Sequence, residues 1–113
     1  MKTYDLEIRT FQFAKKVRNL VNLLPKTIQN REDCAQLIRS SGSIGANYIE
    51  ANESLSKKDF LMRIKISRKE AKETVYWLRL IETPPTLIQE QEVLIKEATE
   101  LMMILSSIMR KGS

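Results

Sequence analysis

Between Phe60 and Ile81 the core-type residues step by four, three, four, three, four and three: Phe60, Ile64, Ser67, Ala71, Thr74, Leu78 and Ile81. The same stepping returns as Leu87, Gln91, Leu94, Ala98, Leu101, Leu105 and Ile108. A strand alternates with period two, so this spacing belongs to the α-helix, where it forms a heptad seam facing a partner along one stripe. The two seams match in length and phase, and only Thr83-Pro84-Pro85 breaks the helical pattern between them. Proline cannot continue a helix, because it lacks an amide hydrogen and its ring clashes with the preceding turn. A helical hairpin is therefore predicted, and small or polar residues occupy the centre of its first seam.

The rest of the chain supplies two more helices. Phe13, Ala14, Val17, Leu20, Val21 and Leu24 recur at helical spacing, and Pro25 ends that segment. Asn30 is the expected N-cap of the next helix, with Glu32 and Asp33 placed where the helix dipole favours negative charge. That helix contains Gly42 and Gly45, each costing about 1 kcal/mol against alanine in a helix interior. The expectation is that they allow close approach of a neighbouring backbone, here that of helix three; the alternative is a bend at Ser41-Gly42. Ser56 and Asp59 resemble a capping box, with aspartate in place of glutamate. With loops this short, sequential helices become antiparallel neighbours. The predicted fold is a single all-α domain over 1–113, an antiparallel up-down-up-down four-helix bundle. Its helices are expected over about 4–24, 31–53, 57–82 and 87–110.

Several function classes are disfavoured by what the chain lacks. It has no histidine, which removes the commonest general base, the Ser-His and Cys-His pairs and the histidine ligands of di-iron bundles. One cysteine, Cys34, can form neither an internal disulfide nor a zinc site alone. No enzymatic activity, cofactor, metal or small-molecule substrate is expected. The start lacks the apolar core of a signal peptide, and the longest apolar run, Leu101 to Leu105, is far too short to span a bilayer. Helix four carries Glu90, Glu97 and Glu100 rather than lysines opposite its apolar arc, so membrane binding is not expected. The expected location is the cytoplasm.

Two sets of residues are candidates for function. Arg39, Ser43, Asn47 and Glu50 form one polar line on helix two. The bland reading is a helix–helix contact in which Arg39 pairs with Glu70 or Glu73; the alternative is a binding groove. A buried charge has to be paired, and its best-attested benefit is fixing register. On helix three, Lys58, Lys65, Lys72 and Arg79 lie seven apart, with Arg68 and Lys69 beside them. Such a stripe, turned away from the core, is usually a solvated face. Repeated around an oligomer it could also bind phosphates, with an affinity that falls with salt. The net charge of +5 is concentrated here and in the first helix. Ile88, Ile95, Met102 and Met109 widen the apolar arc of helix four beyond what one small core needs, and the expectation is burial between subunits.

The segments Gln36-Leu37-Ile38-Arg39, Ser43-Ile44 and Asn47-Tyr48-Ile49-Glu50 resemble the signature of the bacterial four-helix-bundle proteins, also called 23S rRNA-intervening-sequence proteins. Ser56-Lys57-Lys58-Asp59-Phe60, Ile66-Ser67-Arg68-Lys69-Glu70-Ala71-Lys72-Glu73 and Trp77-Leu78 continue the match. The chain departs from it at Ala51-Asn52, where many relatives have a glycine, and at Lys69-Glu70, where glycine and serine are common. The resemblance implies a left-handed bundle that assembles as a homopentamer without established catalysis. Some relatives are encoded inside segments that interrupt ribosomal RNA genes. A related family, the accessory proteins of diversity-generating retroelements, forms similar pentamers that bind nucleic acid and a reverse transcriptase. RNA or a nucleic-acid-processing protein is thereby implied as a partner. The alternative is a purely structural or scaffolding homo-oligomer.

Overall fold

The computed structural model describes residues 3–112; of the domain expected over 1–113, positions 1, 2 and 113 lie outside the described residues. Four helices follow one another: α1 (Thr3–Leu23), α2 (Ile28–Asn52), α3 (Lys57–Leu80) and α4 (Ile88–Gly112). A single 3-10 turn, Pro85–Leu87, leads into α4. The bundle measures 44 × 23 × 19 Å, and its most extensive helix contacts are α2 with α3 and α3 with α4. The predicted seams form the core. Ile64, Ser67, Ala71, Thr74, Leu78 and Ile81 are buried on one side, and Leu94, Ala98, Leu101 and Leu105 on the other.

The ends of the helices differ from expectation in one informative way. Helix α2 begins at Ile28 rather than Arg31, because Thr27 is the N-cap and its hydroxyl accepts the Asn30 amide at 3.1 Å. Asn30 is instead buried, and it joins two loops. Its Nδ2 donates to the carbonyls of Pro25 (3.0 Å) and Glu82 (2.9 Å), while its Oδ1 accepts the Glu82 amide at 2.8 Å. A threonine and an asparagine three residues apart both suit a cap, and only the tertiary loop contact decides between them. Helix α3 stops at Leu80, two residues before the expected end, since residue 82 is engaged by Asn30. Ser56 caps α3 by accepting the Asp59 amide at 3.1 Å.

Small residues on α2 serve two neighbours, not one. A Cβ on Gly45 would lie 2.7 Å from Thr10 Oγ1 and 3.1 Å from Thr10 Cβ, so this glycine admits α1 rather than α3. Gly42 meets only the Arg18 guanidinium, at 3.3 Å. The approach of α3 is made by serines: Ser67 Oγ donates to the Ile44 carbonyl at 2.7 Å, and the Thr74 and Ser40 hydroxyls are bonded at 2.9 Å. Buried hydroxyls need partners, and these pair across the interface or with their own helix. Cys34 is buried, and desolvation, with a smaller effect of Asp33, pushes its thiol pKa up.

Candidate nucleic-acid interface

The polar line of α2 is stitched along its own helix and then to α3. Ser43 Oγ donates to the Arg39 carbonyl, and Asn47 Nδ2 to the Ser43 carbonyl, each at 2.9 Å. Across the interface Arg39 reaches both Glu70 (3.4 Å) and Glu73 (3.3 Å), and Arg63 Nη1 donates to Asn47 Oδ1 at 3.3 Å. Arg39 is half-exposed while the Glu70 side chain is 9% exposed, so this pair spans from surface to interior. Its contacts exceed the usual 2.7–3.2 Å range for hydrogen bonds, and the link is chiefly electrostatic. Glu50 is exposed at the end of the line, where its carbonyl accepts the Ser54 hydroxyl at 3.2 Å.

A firmer ion cluster lies elsewhere, between α1 and α4. Arg9 grips Glu97 with two parallel bonds of 2.7 and 2.8 Å and also reaches Glu100 at 2.7 Å. Fork-to-fork pairing of this kind is the strong form of the arginine–carboxylate bond. The bond to Glu97 is the largest cause of an upward push on the Arg9 pKa. Arg9 in turn holds the Glu100 carboxyl below its ordinary value. Sequence reasoning placed Glu97 and Glu100 on the polar face of the fourth helix and did not single out Arg9. No local spacing links residues 9 and 97; only the antiparallel docking of first and last helices does.

Five of the six basic residues, Lys58, Lys65, Arg68, Lys69 and Lys72, lie beside a groove between α3 and α4, and Arg79 continues the row along α3. Lys58, Lys65 and Arg68 line its lower part together with Met62, Met109 and Ser106. Lys65, Arg68, Lys69 and Lys72 continue it over Met102. A last concavity holds Lys72, Tyr76 and Arg79. No carboxylate lines any of the three. Among the described residues, Lys69 alone of the six cations comes within ion-pair range of an acid, Glu73 at 3.9 Å. From Lys58 to Arg79 the row covers about 31 Å at the helical rise of about 1.5 Å per residue. The stripe expected to look away from the core is thus the rim of an apolar-floored groove. Of the second apolar stripe of α4, expected between subunits, Met102 and Met109 form its floor; Ile95, Met102 and Met109 are partly buried against the core, whereas Ile88 is exposed.

A second apolar surface lies between α1 and α4. Leu23 and Val93, 62% and 59% exposed, share a groove there with Lys16 and Glu90. Among the described residues, no three or more His, Cys, Asp or Glu side chains are grouped so as to hold a metal ion, and no helix is long and apolar enough to cross a membrane.

Residues 3–107 match the family described as 23S rRNA-intervening sequence protein. The chain belongs to this family. A crystal structure of a family relative from Bacteroides thetaiotaomicron, described as a protein with unknown function from the S23 ribosomal protein family, superposes with a TM-score of 0.82. It is 32% identical, over 97% of this chain and 99% of that one. No curated protein matches the chain. Membership in the 23S rRNA-intervening sequence protein family and the Bacteroides superposition agree with the four-helix fold. The description of the Bacteroides relative carries no activity.

Proposed function

We propose that this member of the 23S rRNA-intervening sequence protein family is a non-enzymatic, cytoplasmic homo-oligomer that binds RNA through the basic flank of α3. One observation carries the reading: six cations in a row on a rigid helix, with no carboxylate lining the groove beside them. Folding alone does not require such a row, and like charges at helical neighbours are mildly unfavourable. A row of phosphates offsets that repulsion and releases counterions on binding. The family description, which ties these proteins to intervening sequences in 23S rRNA, favours RNA as the polyanion. The test is fluorescence anisotropy with a structured RNA at two salt concentrations. With four phosphate contacts, affinity should fall on the order of 10²-fold between about 50 and 200 mM salt. The Lys65→Glu, Arg68→Glu and Lys72→Glu variant should lose binding while keeping its fold. Absence of binding by the unaltered protein at low salt rules the reading out.

The exposed Leu23 and Val93 favour self-association as part of the same reading, and the family resemblance implies five subunits. If α1 and α4 meet another copy through this face, Leu23→Lys with Val93→Lys gives a monomer by light scattering. A ring that forms normally but binds no RNA, with charge reversal on α3 changing nothing, would favour the scaffolding alternative.

A further inference from the structure

Tyr76 stands on the outside of α3 with 58% of its surface exposed. It shares a shallow concavity with Lys72, Val75, Arg79 and Leu80. Lys72 lies four residues before it and Arg79 three after, so two cations bracket the ring on one side of the helix. The nearest acid in sequence on this part of the helix, Glu73, is engaged by Arg39 at 3.3 Å and Lys69 at 3.9 Å. Trp77 holds the ring from the side, with centroids 5.0 Å apart and planes at 84°. An edge-to-face contact of this kind covers at most one face of the tyrosine.

We propose that Tyr76 stacks an unpaired nucleobase while Lys72 and Arg79 take the phosphates on either side of it. The preferred ligand is then a single strand, or a stem with unpaired nucleotides, and not a continuous duplex. This rests on the reading of α3 as a polyanion surface and narrows it. In a duplex every base face is already covered by its neighbours, and the A-form major groove is too deep and narrow for side chains to read. An exposed ring between two cations is the arrangement that single-strand binders use, because every base offers a π-face and every nucleotide a phosphate. Val75 and the half-exposed Leu80 give the base an apolar shoulder.

The chain carries its own reporter, since Trp77 is its single tryptophan and touches Tyr76. A short oligouridylate should bind about 5- to 150-fold tighter than an abasic oligomer of the same length and charge. It should also perturb Trp77 fluorescence, which the abasic oligomer should not do. Tyr76→Leu should erase the difference between the two probes and leave affinity for the abasic one unchanged, whereas Tyr76→Phe should keep it. Circular dichroism checks that both variants fold. Equal binding of the two probes, or a duplex preferred over the oligouridylate with Tyr76→Leu unaffected, overturns the stacking site and leaves the polyanion reading standing. If neither probe nor duplex binds at low salt, both fall together.

Discussion

Thr74 Oγ1 lies 2.9 Å from Ser40 Oγ, a hydroxyl pair without solvent exposure inside the α2/α3 seam. Each also reaches a carbonyl of its own helix, Glu70 O at 2.8 Å and Leu37 O at 3.3 Å. The pair fixes how the two helices are stacked along their axes, because sliding by one turn would leave both hydroxyls facing apolar carbon. Thr74→Val keeps the shape and removes the hydroxyl. It should destabilise by about 1–2 kcal/mol, read as a lower midpoint in urea with an unchanged slope. Adding Ser40→Ala should cost less than the sum of the single changes, since the partner is already lost.

The two glycines of α2 should respond with opposite signs. Gly45→Ala gains helix propensity, but its new methyl meets Thr10 at 2.7 Å, and Thr10 is fully buried. Overpacking of this kind should win, at a net cost of about 1–3 kcal/mol. Gly42→Ala meets only the end of the Arg18 side chain, at 3.3 Å, and that end can move. It should stabilise by about 0.5–1 kcal/mol. Thermal unfolding of the two variants separates them, and Thr10→Ala should recover part of the Gly45→Ala loss.

Acid should loosen α1 from α4. Glu100 is held below its ordinary pKa chiefly by its hydrogen bond with Arg9, and Arg9 stays charged throughout. A carboxylate depressed in the folded state stabilises above the unfolded-state value of about 4.3. That contribution disappears as pH falls through the lower folded-state pKa. The Arg9→Met variant should therefore differ most from the unaltered protein near neutral pH and converge on it in strong acid. A gap in Tm that stayed constant from neutral pH into strong acid would contradict the role given to Glu100.

Arg39 should matter for Glu70 more than for the surface. Removing it leaves a buried carboxylate, whose Oε1 has no hydrogen bond, without its nearest cation. Because Arg39 itself is half-exposed and its contacts are long, Arg39→Ala should cost only about 1 kcal/mol. Glu70→Gln in the same background should restore most of that loss in a denaturant titration, while leaving helix content and assembly unchanged.

What the sequence made legible follows from periodicity. Ile64, Ala71, Leu78, Leu94, Ala98 and Leu105 are buried where their heptad positions put them, because helix geometry converts spacing directly into a face. Contacts that depend on docking were not legible in the same way. Thr27 and Asn30 are equally good caps by residue type, and the choice between them was made by Glu82, fifty-two residues from Asn30. Gly45 could have faced either neighbour, and Thr10 shows that it faces α1. For the candidate site, the shared flank of the six cations is a matter of heptad arithmetic. Their neighbours Met102 and Met109, which turn that flank into a groove rim, depend on how α4 lies beside α3.

Asn30 has a consequence for the end of the molecule where Tyr76 and Arg79 stand. Helix termini ordinarily fray, since their last carbonyls lack partners. Here the chain just past α3 is fastened at both the amide and the carbonyl of Glu82, and Gln91 Nε2 donates to the Leu78 carbonyl at 2.6 Å. The final turn of α3 is thus moored from α2 and α4 at once. Side chains borne on a moored turn lose less backbone freedom when a ligand arrives, so more of each contact they make remains as affinity.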